Sequence, residues 1–178
     1  MAATFTFNEY NGNMQGSAGY YGTTLQTNIT TCNWKNIDDA TTAYTAAPIT
    51  AGNNSFTKYI YGRMQGSYKK IQAGLFAHTA GTLGTGLTVM GLVDSYYSTP
   101  SAATNSNLTV DMTAPIAITS GQTVKFSKTS PYDLGCAVSQ SNGTDCYTQY
   151  LITQLQTTTS AAAGDTATVT LTLRYDEN

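Results

Sequence analysis

From Thr166 to Tyr175 the chain alternates without a break. Ala167, Val169, Leu171, Leu173 and Tyr175 are apolar or aromatic, and Thr166, Thr168, Thr170, Thr172 and Arg174 between them are polar. A period of two is satisfied by an extended strand with one dry and one wet face; a helix would scatter the same residues around its circumference. Burying Val169, Leu171 and Leu173 contributes roughly 1.5–3 kcal/mol each as an upper bound. A charge at Leu171 is therefore expected to be severe.

The same pattern, less regular, runs through Thr4 to Phe7, Phe56 to Met64, Leu87 to Val93, Leu108 to Met112, Thr123 to Phe126 and Tyr150 to Leu155. All are rich in β-branched or aromatic residues. Turn-forming clusters separate them: Asn11-Gly12-Asn13, Ala51-Gly52-Asn53-Asn54, Ser120-Gly121-Gln122 and Ser141-Asn142-Gly143. Apolar residues at helical spacing are not sustained anywhere, and Asn36 to Tyr44 has room for a helical turn or two. No Pro/Gly/Ser linker divides two apolar regions. Residues 1–178 are expected to form one domain, an all-β sandwich, jelly-roll-like or Ig-like, with Gly/Asn/Ser-rich loops and little helix.

Charged residues make up only 10% of the chain, against roughly 25% in an average soluble domain. With a net charge of −2 there is no basic field to attract phosphates, so nucleic acid is not an expected partner. Few charges also leave copies poorly protected against self-association, which suits a protein that packs against neighbours. Met1 to Tyr10 lacks a basic region followed by an apolar run, and no stretch reaches the roughly 20 apolar residues that span a bilayer. Neither a secretory signal nor membrane insertion is expected.

The supply of catalytic groups is thin. His78 is the only histidine, so a site built on two is excluded. It lies where a strand enters a Gly-rich turn, and a structural role is expected. Glutamate occurs only at Glu9 and Glu177, and the aspartate clusters, Asp38-Asp39 and Asp133 with Asp145, read as turn residues bonding their own backbone. Gly81-Thr82-Leu83-Gly84-Thr85-Gly86 lacks the lysine of a phosphate-binding loop and reads as a flexible β-turn or a hairpin loop. No catalytic residue, cofactor or metal ligand set is expected, and the chain is read as a non-enzyme.

Two features bear on contacts. Tyrosine occurs 13 times against one tryptophan, and Tyr20, Tyr21, Tyr59, Tyr61, Tyr96 and Tyr97, with Tyr147 and Tyr150, are candidates for an amphipathic contact surface. The alternative for each is a half-buried strand position. Cys136 and Cys146 flank a Ser/Asn/Gly-rich loop that a disulfide would close if their Cα atoms lay within about 7 Å. The other reading keeps both, with Cys32, as reduced thiols.

The stretch APITAGNNSFTKYIYGRMQGSYKKI from Ala47 to Ile71 and the stretch YTQYLITQLQTTTSAAAGDTATVTLTLRYDEN from Tyr147 to Asn178 resemble a group of small virion structural proteins of tailed bacteriophages. Together they cover about a third of the chain, and Tyr97 to Thr104 adds a weaker likeness. The resemblance implies a particle protein that decorates or cements an icosahedral capsid, often as a β-rich trimer seated between capsomers. The major capsid protein, other virion proteins and further copies of the chain would be its partners, and the virion, assembled in the host cytoplasm, its location. It carries over no catalytic residue. A tail tube, baseplate or fibre component is the alternative within the particle, and a carbohydrate-binding sandwich the alternative outside it.

Overall fold

The computed structural model describes residues 4–16, 21–66, 71–115, 146–162 and 168–177. Nine strands account for most of the regular structure: β1 (Thr4–Gln15), β2 (Tyr21–Gln26), β3 (Lys58–Gln65), β4 (Ile71–Ala80), β5 (Leu87–Asp94), β6 (Val110–Asp111), β7 (Cys146–Tyr147), β8 (Tyr150–Thr157) and β9 (Thr170–Glu177). They form an antiparallel sheet in the order β2-β1-β3-β8-β5-β6, with β7 also on β3, and a second sheet made of β4 and β9. The chain is an all-β sandwich. No α-helix occurs among the described residues, and none of their helices is long and apolar enough to cross a membrane.

Alternation along β3 and β8 sorts the large sheet into two faces. Met64, Leu151, Leu155 and Val89 point inward, where Phe76 and Ala77 of β4 and Leu171, Leu173 and Tyr175 of β9 pack on them with Phe5 and Phe7. The alternation at the C-terminal strand is thus the dry side of the second sheet. The register sets Phe76 opposite Leu173 and His78 opposite Leu171. The segment from residue 27 to residue 57 covers the rest of this inner face. Its Trp34 indole donates to Thr153 Oγ1 at 3.1 Å, and Ile49 packs against the core.

The opposite face carries Tyr10, Tyr59, Tyr61, Tyr150 and Ile152, and is roofed by Tyr97 and Leu108 from the β5–β6 connection. Gln154 fastens that roof to the sheet. Its amide donates to the carbonyls of Ala103 at 2.9 Å and Ser55 at 3.0 Å, and its Oε1 accepts from the Asn105 amide at 3.2 Å.

Three sequence expectations are corrected. Asn11-Gly12-Asn13 is not a turn between strands but an irregularity inside β1, where the register against β2 shifts between Asn11 and Met14. Gly12 makes this bulge feasible, with φ of +83° and Thr23 pressed where a Cβ would be. Asn36 to Tyr44 is not helical, and the only helical element nearby is a 3₁₀ turn at Tyr44–Ala46. Asp39 competes with the helix: its carboxylate accepts from the backbone amides of Thr41 at 3.2 Å and Thr42 at 2.9 Å. Leu108 to Met112 yields only the two-residue β6, although Leu108 and Met112 are buried at its ends. Gly81 to Gly86 does turn the chain, but not as a hairpin loop: it carries it from β4, paired with β9, to β5, paired with β6 and β8, and so crosses from one sheet to the other. Thr123 to Phe126 lies outside the described residues.

Candidate functional site

Four of the tyrosines considered for a contact surface are inside the protein. Tyr59, Tyr61, Tyr97 and Tyr150 are buried, which corrects the contact-surface reading for them. The reason is local: alternation puts Tyr59 and Tyr61 on one face of β3, and the β5–β6 connection closes over that face. Tyr10 stacks on Tyr61 with centroids 5.5 Å apart and planes 18° apart, and Tyr150 stands edge-on to Tyr61 and Tyr59 at 5.6 and 5.8 Å. Tyr97 closes on Tyr59 at 4.5 Å. Burial pushes the phenols of Tyr59, Tyr61, Tyr97 and Tyr150 above the usual tyrosine range, with neighbouring phenols and the carboxylates of Glu9, Asp38 and Asp94 adding to the effect.

Other tyrosines reach the surface. Tyr21 is 47% exposed, Tyr96 57% and Tyr147 51%, and Leu25 and Met14 are exposed to a similar degree. The exposed rings continue the buried ones: Tyr21 lies 6.1 Å from Tyr10, and Tyr147 lies 5.9 Å from Tyr61. Leu25 sits opposite Tyr10 in the β1–β2 register and so shares its face. Tyr21 and Leu25 thus extend the tyrosine face outward on β2, and Tyr147 extends it on β7 at the far side of β3, giving two apolar, hydroxyl-bearing margins on either side of the buried aromatic core. Leu25, Met14 and Tyr10 were not among the sequence candidates; for Leu25 the reason is that β2 carries no alternation that would mark a face. Tyr20 lies outside the described residues.

A second cluster is polar and buried on the inner face. Glu9 Oε1 accepts from Lys58 Nζ at 2.8 Å and from Asn11 Nδ2 at 2.7 Å. Asp38 binds the same Asn11 amide through Oδ1 at 3.0 Å and the Gly12 backbone amide through Oδ2 at 2.7 Å. Nearby, Lys35 donates to Asp39 at 2.7 Å and to the Thr42 carbonyl at 2.7 Å. Hydrogen bonds from Lys35 and Thr42 hold the Asp39 carboxyl well below the usual carboxylate range. Cys32 is partly exposed as a residue, but its thiol is enclosed; burial first, and the Glu9 charge next, push it up to about 12. Such a thiol stays protonated and unreactive near neutral pH.

His78 is buried, with Nδ1 2.5 Å from the Met112 carbonyl oxygen and Nε2 2.7 Å from that of Ala80. Both ring nitrogens face main chain, and the imidazole clasps β4 to the end of β6. Cys136, Asp133 and Asp145 lie outside the described residues, and with them the Cys136–Cys146 pairing. Among the described residues no three His, Cys, Asp or Glu side chains group to hold a metal ion. Comparison with family models, with curated proteins and with solved structures gave no match.

Proposed function

We propose that this chain is a structural component of a viral particle, a decoration or cement protein that binds the major capsid protein and further copies of itself. The observation that carries this reading is that exposed Tyr21 and Leu25 on β2 and exposed Tyr147 on β7 continue the buried tyrosine face outward on its two sides. Tyrosine presents a large, rigid contact area with a polar tip, and little ordering entropy is lost when it docks. On a symmetric shell many identical weak contacts add up, so a small neutral surface suffices for each copy.

The likeness to tailed-phage structural proteins supports the same reading. The two stretches that carry it are far apart in sequence, yet they supply β3 and β8, which pair at the centre of the large sheet. β3 and β8 thus form one paired unit, while β9 of the second stretch lies in the other sheet.

The test is to find the chain on purified particles and remove it. Copies should sit on the capsid at symmetry-related positions, and particles lacking the chain should lose resistance to heat and to chelator. Particles that lack it and keep full resistance would count against a cementing role, and density on the tail would shift the reading to a tail component. Glycan binding that disappears with Tyr96→Ala would instead favour a carbohydrate-binding module.

A further inference from the structure

Glu9, Asn11 and Lys58 form an arrangement that a salt bridge alone does not require. The register pairs Tyr10 with Tyr59, so Asn11 and Lys58 lie one step further along adjacent antiparallel strands. Glu9 is two residues before Asn11 on the same face of β1. All three side chains are buried, Lys58 to within 2%. One carboxylate oxygen of Glu9 holds both the Lys58 amine nitrogen, at 2.8 Å, and the Asn11 amide nitrogen, at 2.7 Å. Asn11 is thus held by its nitrogen alone, and its carbonyl oxygen is buried with no partner. From these contacts we infer that Lys58 and Asn11 become joined by an intramolecular isopeptide bond, with Glu9 as the proton carrier.

The chemistry balances without an oxidant or a further reactant. Lys58 passes a proton along its hydrogen bond to Glu9 and becomes a free amine. Its Nζ attacks Asn11 Cγ, forming the new C–N bond. Glu9 returns the proton to Nδ2, the Cγ–Nδ2 bond breaks, and ammonia leaves carrying the second proton of the attacking amine as ammonium. A buried amine is a good nucleophile once deprotonated, and fixed neighbours in a dry site replace a bimolecular encounter. Glu9 touches the nucleophile and the leaving group through one oxygen, as a general base that becomes a general acid must.

Two competing outcomes are restrained by the same geometry. Asn11 precedes Gly12, a pair prone to ring closure through the following backbone nitrogen, but the Gly12 amide is committed to Asp38 Oδ2 at 2.7 Å. Cys32, the other nucleophile nearby, is kept as a thiol. The product would tie β1 to β3 covalently inside the sheet, and this inference stands whether or not the chain belongs to a particle.

The test is the intact mass of the purified, folded protein measured under denaturing conditions, followed by peptide mapping. The expected result is a chain lighter by one ammonia, with a branched peptide joining Asn11 to Lys58. Glu9→Gln should slow formation by about 10²-fold or more, and Lys58→Met should abolish the loss. A full-mass wild-type chain overturns the proposal, as does an ammonia loss that persists in Lys58→Met, which would mark ring closure at Asn11-Gly12. Should either variant fail to fold, the branched peptide in the wild-type digest decides by its presence or absence.

Discussion

The phenol of Tyr97 donates a 2.7 Å hydrogen bond to the carbonyl of Gly12. It ties the β5–β6 connection to the bulge in β1, so the roof over the buried tyrosines and the distortion of β1 hold each other in place. Gly22 lies beneath: a Cβ there would meet the Tyr97 ring and the Asn11 carbonyl. Tyr97→Phe should lower stability by about 0.5–1.5 kcal/mol, and Tyr97→Ala by about 3–5 kcal/mol because a cavity follows. Urea denaturation of the two variants checks both figures.

Alkaline pH should unfold the protein through the buried phenols. Tyr59, Tyr61, Tyr97 and Tyr150 have folded pKa values above that of an unfolded tyrosine, which is about 10. Their contribution is fully present below that pH and is lost as pH rises, because the unfolded chain then binds fewer protons. Tyrosine absorbance followed together with circular dichroism should show a group of phenols ionising only as the sheet signal collapses.

Cys32 should resist alkylation in the folded protein near neutral pH and react after denaturation. Residue-resolved mass mapping after iodoacetamide treatment distinguishes it from Cys136 and Cys146. Labelling of Cys32 in the native state would show that its thiol is open.

The exposed margin on β2 and the core should separate cleanly by mutation. Tyr21→Ser combined with Leu25→Ser should leave stability within about 0.5 kcal/mol per site, since both are surface positions. The same pair should reduce attachment to particles or self-association, measured by sedimentation.

Met64 is fully buried between the sheets, and Met64→Ala should cost about 2–5 kcal/mol. Leu171→Asp should be at least as damaging, as it sets an unpaired charge against the same core. Thermal denaturation of both tests whether β9 belongs to the cooperative unit.

Local pattern revealed those elements whose two faces differ in environment. At β9, Leu171, Leu173 and Tyr175 meet the core while Thr170 meets water, and the alternation is plain in the sequence. β2 was illegible because only Gly22 along it is buried, so no face is marked by apolar residues. Tyr59 and Tyr61 announced a shared face but not its cover, which comes from a connection without periodicity. Nothing in the local sequence marks Lys58 and Glu9 as buried. Their burial depends on the β1–β3 register and on the segment around Trp34 and Lys35, and neither is a property of neighbouring residues in the chain.

The central pairing of β3 with β8 also dictates an order of events during synthesis. Strands β1, β2 and β3 leave the ribosome long before β8 does, so for that interval one edge of β3 offers unsatisfied amides and carbonyls beside a bare row of tyrosines. Pairing so distant in sequence closes slowly. Crowded nascent copies would meet at that edge first, making rapid overproduction the condition under which this chain aggregates.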